Sequence, residues 1–512
     1  MNRSVWERWA ARCAAPLFLV SALTIPAWAI DNPKWDLTTK TGPDAEVPGW
    51  YINLGITGAR AKLTPEEPKV LQVMFVFKDT PAFGKLEKGD QIVGANGNLF
   101  LTPHKFGYGM GKFGYEGPLM DLGNALEESQ GKRNGKLTLD VVRGEQKLKV
   151  DLQLTTKYGS FSETYPFDCK KTDLILQETY AYLIKEQKSD GTWHGRPHIN
   201  AFAALALLGS GNAEYLPAAK KAMEAMARAT NDKINFGGLP CWQYTLYGIA
   251  LSEYYLITRE PWVLPELEEI NRWLAQAQSP QTAAPERAHV AGGFGHAPYN
   301  REVGRNGYGG MNITTAQAMM AWALMQRCGI KVDPKGPQDA HNFIAKGTNK
   351  IGYVWYADGV GGAGYADMGR TGASALAHYL SPLGGGANRE FAKLNAQCIG
   401  EHPDTFPDTH GCPLMGMAWE ALGAAAVDPA SFRRLMDYNR WCFSLAQCAD
   451  GTFYYQPNRD NNPQDYGADP RLAATAVTAL ILTARHKKLQ MTGAKLIGDL
   501  SAPREQGRNG LK

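Results

Sequence analysis

Several things are scarce in this 512-residue chain, and each scarcity removes a class of protein. Cysteine comes first: there are eight, with no C-x-x-C pair, too few and too scattered for a disulfide scaffold. Charge of one sign is also missing. The 54 Lys and Arg against 50 Asp and Glu leave a formal +4, with no basic run and no interleaved aromatic stripe, so nucleic acid is not an expected partner. Beyond the N-terminal leader no apolar run approaches the ~20 residues of a membrane span, so none is expected in the mature chain. G-x-S-G, H-E-x-x-H and Asp-x-Asp-Asp runs are all lacking. With no complete catalytic motif, no cofactor is expected, and the sequence discloses no definite reaction.

What is present begins with a leader. Arg3, Arg8 and Arg12 form a basic start, Ala14 to Ile25 an apolar core, and Ala27-Trp28-Ala29 a small-residue cleavage site. This pattern predicts a signal peptide over 1–29, and hence a periplasmic or extracellular protein. Removing three Arg and one Glu lowers the charge from +4 to +2. In that oxidising setting Cys398, Cys412, Cys442 and Cys448 are near enough in sequence to supply a bridge. The remaining composition, 44% hydrophobic and 20% charged, is that of a globular chain of two or three domains. The expected fold class is multidomain: a β-rich module at 47–155 between linkers at 30–46 and 156–170, an all-α domain over 171–490, and a flexible tail at 491–512.

The first module alternates as strands do. Val70 to Phe77 is rich in Val and Phe, and Lys136 to Leu154 reads as a hairpin turning at Arg143-Gly144-Glu145. Met120 to Glu128 has helical spacing and ends near Gly131. The order Asp79-Thr80-Pro81-Ala82, Leu86 to Ile92 with Gly89-Asp90, Asn96-Gly97 and the final hairpin resembles the PDZ family. The resemblance implies a groove that takes an extended or C-terminal peptide as an added strand. Leu54, Gly55, Ile56 and Thr57 would be its carboxylate loop, and Leu122 and Leu126 its flanking helix. The Gly- and aromatic-rich insert at Asn98 to Pro118 departs from the family pattern and is placed to cover that groove.

From Lys171 onward two kinds of helix alternate. Striped, charged segments occur at Asp173–Lys188, Leu216–Ala229, Pro265–Gln278, Pro337–Lys346, Asn388–Gly400 and Pro429–Ala449. Segments apolar nearly all round occur at Ile199–Leu208, Gln243–Ile257, Ile313–Cys328, Thr371–Leu380, Pro413–Ala425 and Pro470–Arg485. A helix dry on every side must be buried on every side, so the alternation predicts an inner and an outer ring, an (α/α)6 toroid. The joints Gln187-x-x-Asp190-Gly191-Thr192-Trp193 and Gln447-x-x-Asp450-Gly451-Thr452-Phe453 are alike. They resemble the repeats of terpenoid cyclases and protein prenyltransferases, which fold as such a toroid. The pairing of both units behind a leader looks like an uncharacterised family of exported bacterial proteins.

All long joints lead into inner helices, so they gather at one end, where helix N-termini favour anionic groups. That mouth is the expected site for a glycan, peptide or lipid. Its polar residues are His194, His198, Asn200, Gln243, Tyr308, Asn312, Asp367, Arg370, Asp408, His410, Tyr466 and Arg471. Asp408-Thr409-His410-Gly411-Cys412 is the sharpest cluster: alternation directs three ligand-type side chains to one side. It does not match the prenyltransferase zinc pattern, and capping of the next inner helix with Cys412 in the core is the favoured reading, so no metal is expected. His194 and His198 flank Pro197 and do not share one helical face. Two functions follow: a binding or scaffold protein, or a polysaccharide lyase or hydrolase using Tyr308, Asp408, His410 and Arg370.

Overall fold

The computed structural model describes residues 51–64, 66–104, 116–281, 290–304, 309–357, 367–382, 386–407, 413–454, 456 and 470–495. The leader, the 30–46 stretch, Tyr308, Tyr466 and the Asp408–Cys412 cluster lie outside these residues.

The first unit is an antiparallel sheet of β1 (Ile52–Asn53), β2 (Ala59–Lys62), β3 (Leu71–Val76), β4 (Gln91–Ala95), β5 (Asn98–Leu99), β6 (Lys136–Arg143) and β7 (Gln146–Gln153). The strands run in the order β1-β2-β3-β4-β6-β7, with β5 on β4. Helix α1 (Pro118–Gln130) covers one face. Alternation fixes the last hairpin: Leu137, Leu139 and Val141 face Leu152, Val150 and Leu148, and the chain reverses at Gly144. The Asn-Gly turn has positive φ at both residues, 51° and 87°, as a two-residue hairpin turn requires. Asp90 is buried because Arg143 grips it twice, at 2.7 and 2.8 Å.

The second unit closes on itself. Its inner helices are α3 (Pro197–Gly209), α5 (Pro240–Thr258), α7 (Asn312–Arg327), α9 (Gly369–Leu380), α11 (Pro413–Val427) and α14 (Pro470–Thr483). Each packs on the next, and α14 packs back on α3. Outside lie α2 (Lys170–Glu186), α4 (Leu216–Arg228), α6 (Val263–Ala277), α8 (Lys335–Lys346), α10 (Gly386–Glu401) and α12 (Pro429–Tyr438). The dry segments became the inner ring for the reason given by their composition: Ala and Gly let the backbones crowd. A Cβ added at Gly369 would lie 2.3 Å from Gly416, and one at Gly423 would lie 2.4 Å from Gly372, so α9 and α11 touch backbone to backbone.

Four expectations need correction. The segment Pro429–Ala449 is two helices: it breaks at Asn439, whose amide donates to Pro403 O at 2.7 Å and Leu435 O at 2.9 Å, and a second helix, α13 (Arg440–Ala446), follows. The stretch 156–170 is packed, with Tyr158, Phe161 and Tyr165 in the helical core. The start of the tail is packed too: Met491 is 0% and Thr492 3% exposed. All six described cysteines are buried free thiols, so no bridge joins Cys398, Cys442 and Cys448. Among the described residues, no helix is long and apolar enough to cross a membrane.

The two units share a core. Trp441, Cys442 and Leu445 of α13 sit among the apolar residues of the sheet and α1. Asn53 donates from Nδ2 to the carbonyls of Leu445, Ala446 and Gln447 at 2.9, 3.3 and 3.1 Å, closing the end of α13 that has no further helical turn. Buried Lys171 of α2 reaches Glu127 of α1 at 2.5 Å and Gln130 at 2.8 Å, and burial, outweighing Glu127, lowers its pKa.

Candidate functional site at the mouth of the helical ring

Among the described residues, four of the joints share one repeated bond. The backbone N–H of a buried apolar residue donates to a side-chain oxygen in the first turns of the following inner helix. Trp193 donates to Asn200 Oδ1 at 2.8 Å, Phe294 to Thr315 Oγ1 at 2.9 Å, Val354 to Thr371 Oγ1 at 3.1 Å and Phe453 to Thr475 Oγ1 at 3.0 Å. Neighbouring joints are stitched by backbone bonds, Cys241 N to His296 O at 3.2 Å and Asn312 N to Tyr356 O at 2.9 Å. The inner-helix N-termini are therefore held at one end. Two shallow clefts, near Tyr379 and Asp428 and near Ser210 and His486, lie at the opposite end.

Several expected mouth residues serve the scaffold. Asn312 is fully buried and donates to Trp355 O and Ala357 O at 2.9 and 2.5 Å. His194 accepts from Arg196 N at 3.2 Å. His198 is buried, and burial first, then Arg196 and His194, lowers its pKa to about 3, so it is neutral at pH 7. Among the described residues no group of three or more His, Cys, Asp or Glu is placed to hold a metal.

Arg370 and Asp367 do come together. Asp367 is 4% exposed, precedes α9 with a left-handed φ of 59°, and its Oδ2 lies 3.7 Å from Arg370 Nε. Its Oδ1 has no hydrogen-bond partner. Arg370 donates to Tyr353 Oη at 3.1 Å and lies 5.5 Å from the centre of the Tyr356 ring. A non-glycine residue held at positive φ with an unused carboxylate oxygen is the kind of strain that collects at working sites. Glu420, a lone acid in an otherwise apolar inner helix, escaped the sequence reading. It is fully buried. Burial, then the Asp367 and Asp404 carboxylates, push its pKa well above the usual range, Thr405 opposing. Its signal was legible: one carboxylate in a dry helix. Aromatic surface is also at this end, with Trp242 stacked on His296 and bonded to it at 2.8 Å.

Arg471 is pinned within the last joint, with Nη1 2.8 Å from Thr452 Oγ1 and 3.3 Å from Asp450 Oδ2.

The peptide groove is corrected by the structure. Leu54, Ile56, Thr57, Leu122 and Leu126 are each at most 2% exposed and Gly55 is buried, because α13 lies where a peptide would enter. A Cβ at Gly55 would sit 2.8 Å from Ser444 O, and one at Gly123 2.5 Å from Trp441 O. The outer edge of β1 is closed as well: Asn53 N–H donates to Gln456 Oε1 at 3.1 Å and its carbonyl accepts from Gln456 Nε2 at 3.2 Å. One side-chain amide thus occupies the place of an added strand.

A family model described as "Domain of unknown function (DUF6288)" matches residues 172–493. No curated protein matches the chain. Among solved structures, the chain is similar to the GH76A alpha-1,6-mannanase of Salegentibacter sp. HEL1_6 (14% identity, 62% of this chain and 98% of that one, TM-score 0.41). It is also similar to the cellobiose 2-epimerase of Bacillus thermoamylovorans B4167 (12%, 61% and 99%, 0.40) and to the Lin0763 protein of Listeria innocua (10%, 62% and 97%, 0.45). At such identities and scores these likenesses carry no functional weight.

Proposed function

We propose, from the premise that the chain belongs to the DUF6288 family, that it is a carbohydrate-active enzyme, a lyase or hydrolase, working at the mouth of its helical ring. The observation that carries the reading is Asp367: buried, held at positive φ, with one oxygen near Arg370 and the other unused. A carboxylate and a guanidinium side by side present acceptors and donors that match vicinal hydroxyls, and the Trp242 and Tyr356 rings offer flat faces to a sugar. Asp367 acts as the proton acceptor, Arg370 orients it, and Glu420, whose pKa burial and the Asp367 carboxylate raise, adds little negative charge nearby. The filled groove beside α13 supports placing the ligand here rather than in the β-unit.

The test is turnover of a panel of neutral and acidic polysaccharides by the full chain, followed by reducing ends and by ultraviolet-absorbing unsaturated ends. Asp367→Asn is expected to cost about 10²–10⁴-fold in rate. No turnover on any member, or turnover that survives Asp367→Asn, overturns the reading.

A further inference from the structure

Arg60 of β2 is 0% exposed, and none of its Nε, Nη1 and Nη2 atoms has a hydrogen-bond partner. Its guanidinium lies 3.3 Å from the centre of the Tyr454 ring and 5.2 Å from that of Phe77. Aromatic faces offset only part of the cost of burying a cation that cannot neutralise itself. Its five N–H donors ask for an anion.

The last joint shows where one belongs. Phe453 is fully buried in the helical core, its N–H donating to Thr475 Oγ1, and the residues on either side of it, Thr452 and Tyr454, are buried as well. Arg471, from the first turn of α14, holds Thr452, while Arg60, from the sheet, lies on Tyr454. Two guanidiniums, one from each unit, thus flank one short edge at the positive end of an inner helix. The buried Cys448 thiol beside them registers both: burial raises its pKa, and Arg471 and Arg60 oppose the rise. Asp450 bonds Arg471, and among the described residues no carboxylate is paired with Arg60.

We propose that Arg60 and Arg471 form an anion subsite that takes the carboxylate or sulfate group of an acidic sugar unit, so that the β-unit completes the toroid mouth instead of capturing peptides. The inference rests on the carbohydrate reading above and narrows its substrate class. Planar, bidentate recognition is what arginine supplies and lysine does not. Because Arg60 has no exposed surface, a neighbouring side chain must move aside first, and association is expected to be slow.

The test titrates the full chain with sodium glucuronate, sodium sulfate and glucose, by calorimetry and by the arginine Nε–H resonances. Saturable binding of an anion but not of glucose is expected, with the tighter of the two anions identifying the group recognised. Arg60→Lys keeps the charge and most of the stem, and so the fold; it is expected to weaken the anion at least about tenfold, about 1.4 kcal/mol. Arg471→Lys is expected to act in the same direction. Unchanged affinity in Arg60→Lys, or no anion binding by the parent chain, overturns the proposal. Degradation of a neutral polysaccharide through Asp367 with neither anion bound sinks this inference and spares the site reading. Glucuronate bound through Arg60 without any turnover does the reverse.

Discussion

The first and last joints of the ring share a sequence and differ in use. In both, an aspartate accepts from a threonine two residues on, Asp190 from Thr192 N at 2.9 Å and Asp450 from Thr452 N at 3.0 Å. Both then send an aromatic into the wedge between helices. At the first joint the opening glutamine ties the turn to the next outer helix, Gln187 Nε2 donating to Gly191 O at 3.0 Å and Ala218 O at 2.9 Å. At the last joint the helix leading in has broken, Asn53 of the sheet takes the carbonyl of Gln447, and Arg471 and Arg60 close around Thr452 and Tyr454. The motif builds a helix-to-helix turn. What the turn does depends on what docks against it, and the β-unit docks on one joint.

The largest expected effect that would break this comparison is at the buried pair joining the units. Lys171→Met leaves Glu127 without its ion partner in a mostly dry setting, and a loss of about 3–5 kcal/mol is expected in urea unfolding. A loss below ~1 kcal/mol would mean that the β-unit merely rests on the ring.

Next comes the opposite end of the ring, sealed by residues 489–492. Glu253 accepts from Gln490 N and Met491 N, each at 2.8 Å. Burial, outweighing those bonds and Arg327, raises its pKa from 4.5 to about 7. The folded chain therefore holds a proton that the unfolded chain releases between these values. The stabilisation is complete below about 4.5 and is lost as the pH rises through about 7, amounting to about 3 kcal/mol. Thermal melts across that window should show the slope, and Glu253→Gln should flatten it.

Asn53→Ala removes three bonds to the end of α13, and about 2 kcal/mol is expected by the same unfolding assay. The smallest effect sharpens the comparison most closely. Asp450→Ala should lower the midpoint more than Asp190→Ala, because Asp450 also meets Arg471 whereas Asp190 serves only its exposed turn. Equal shifts would say that the two joints are alike in use as well as in sequence.

Most of the ring was legible because its signal is periodic and repeated: each dry segment lies in the inner layer, within a few residues of its expected ends. The hairpin and the Asn96-Gly97 turn were legible because turn chemistry is local. The break at Asn439 was not, since its cause is Pro403 O, distant in sequence. The same holds for the groove: Leu122 and Leu126 carry an apolar pattern that suits a peptide or a helix equally well, and the pattern cannot say that α13 fills it. Arg60 reads as an ordinary strand residue between two alanines until Tyr454 is brought over it.

Native-state hydrogen exchange at the α13 amides tests the docked arrangement most directly. The bonds from Asn53 and the burial of Trp441, Cys442 and Leu445 predict that residues 441–447 exchange only with the opening of the inner ring, at its free energy. Exchange of those amides at the rate of a fraying surface helix, with the ring still protected, would contradict it.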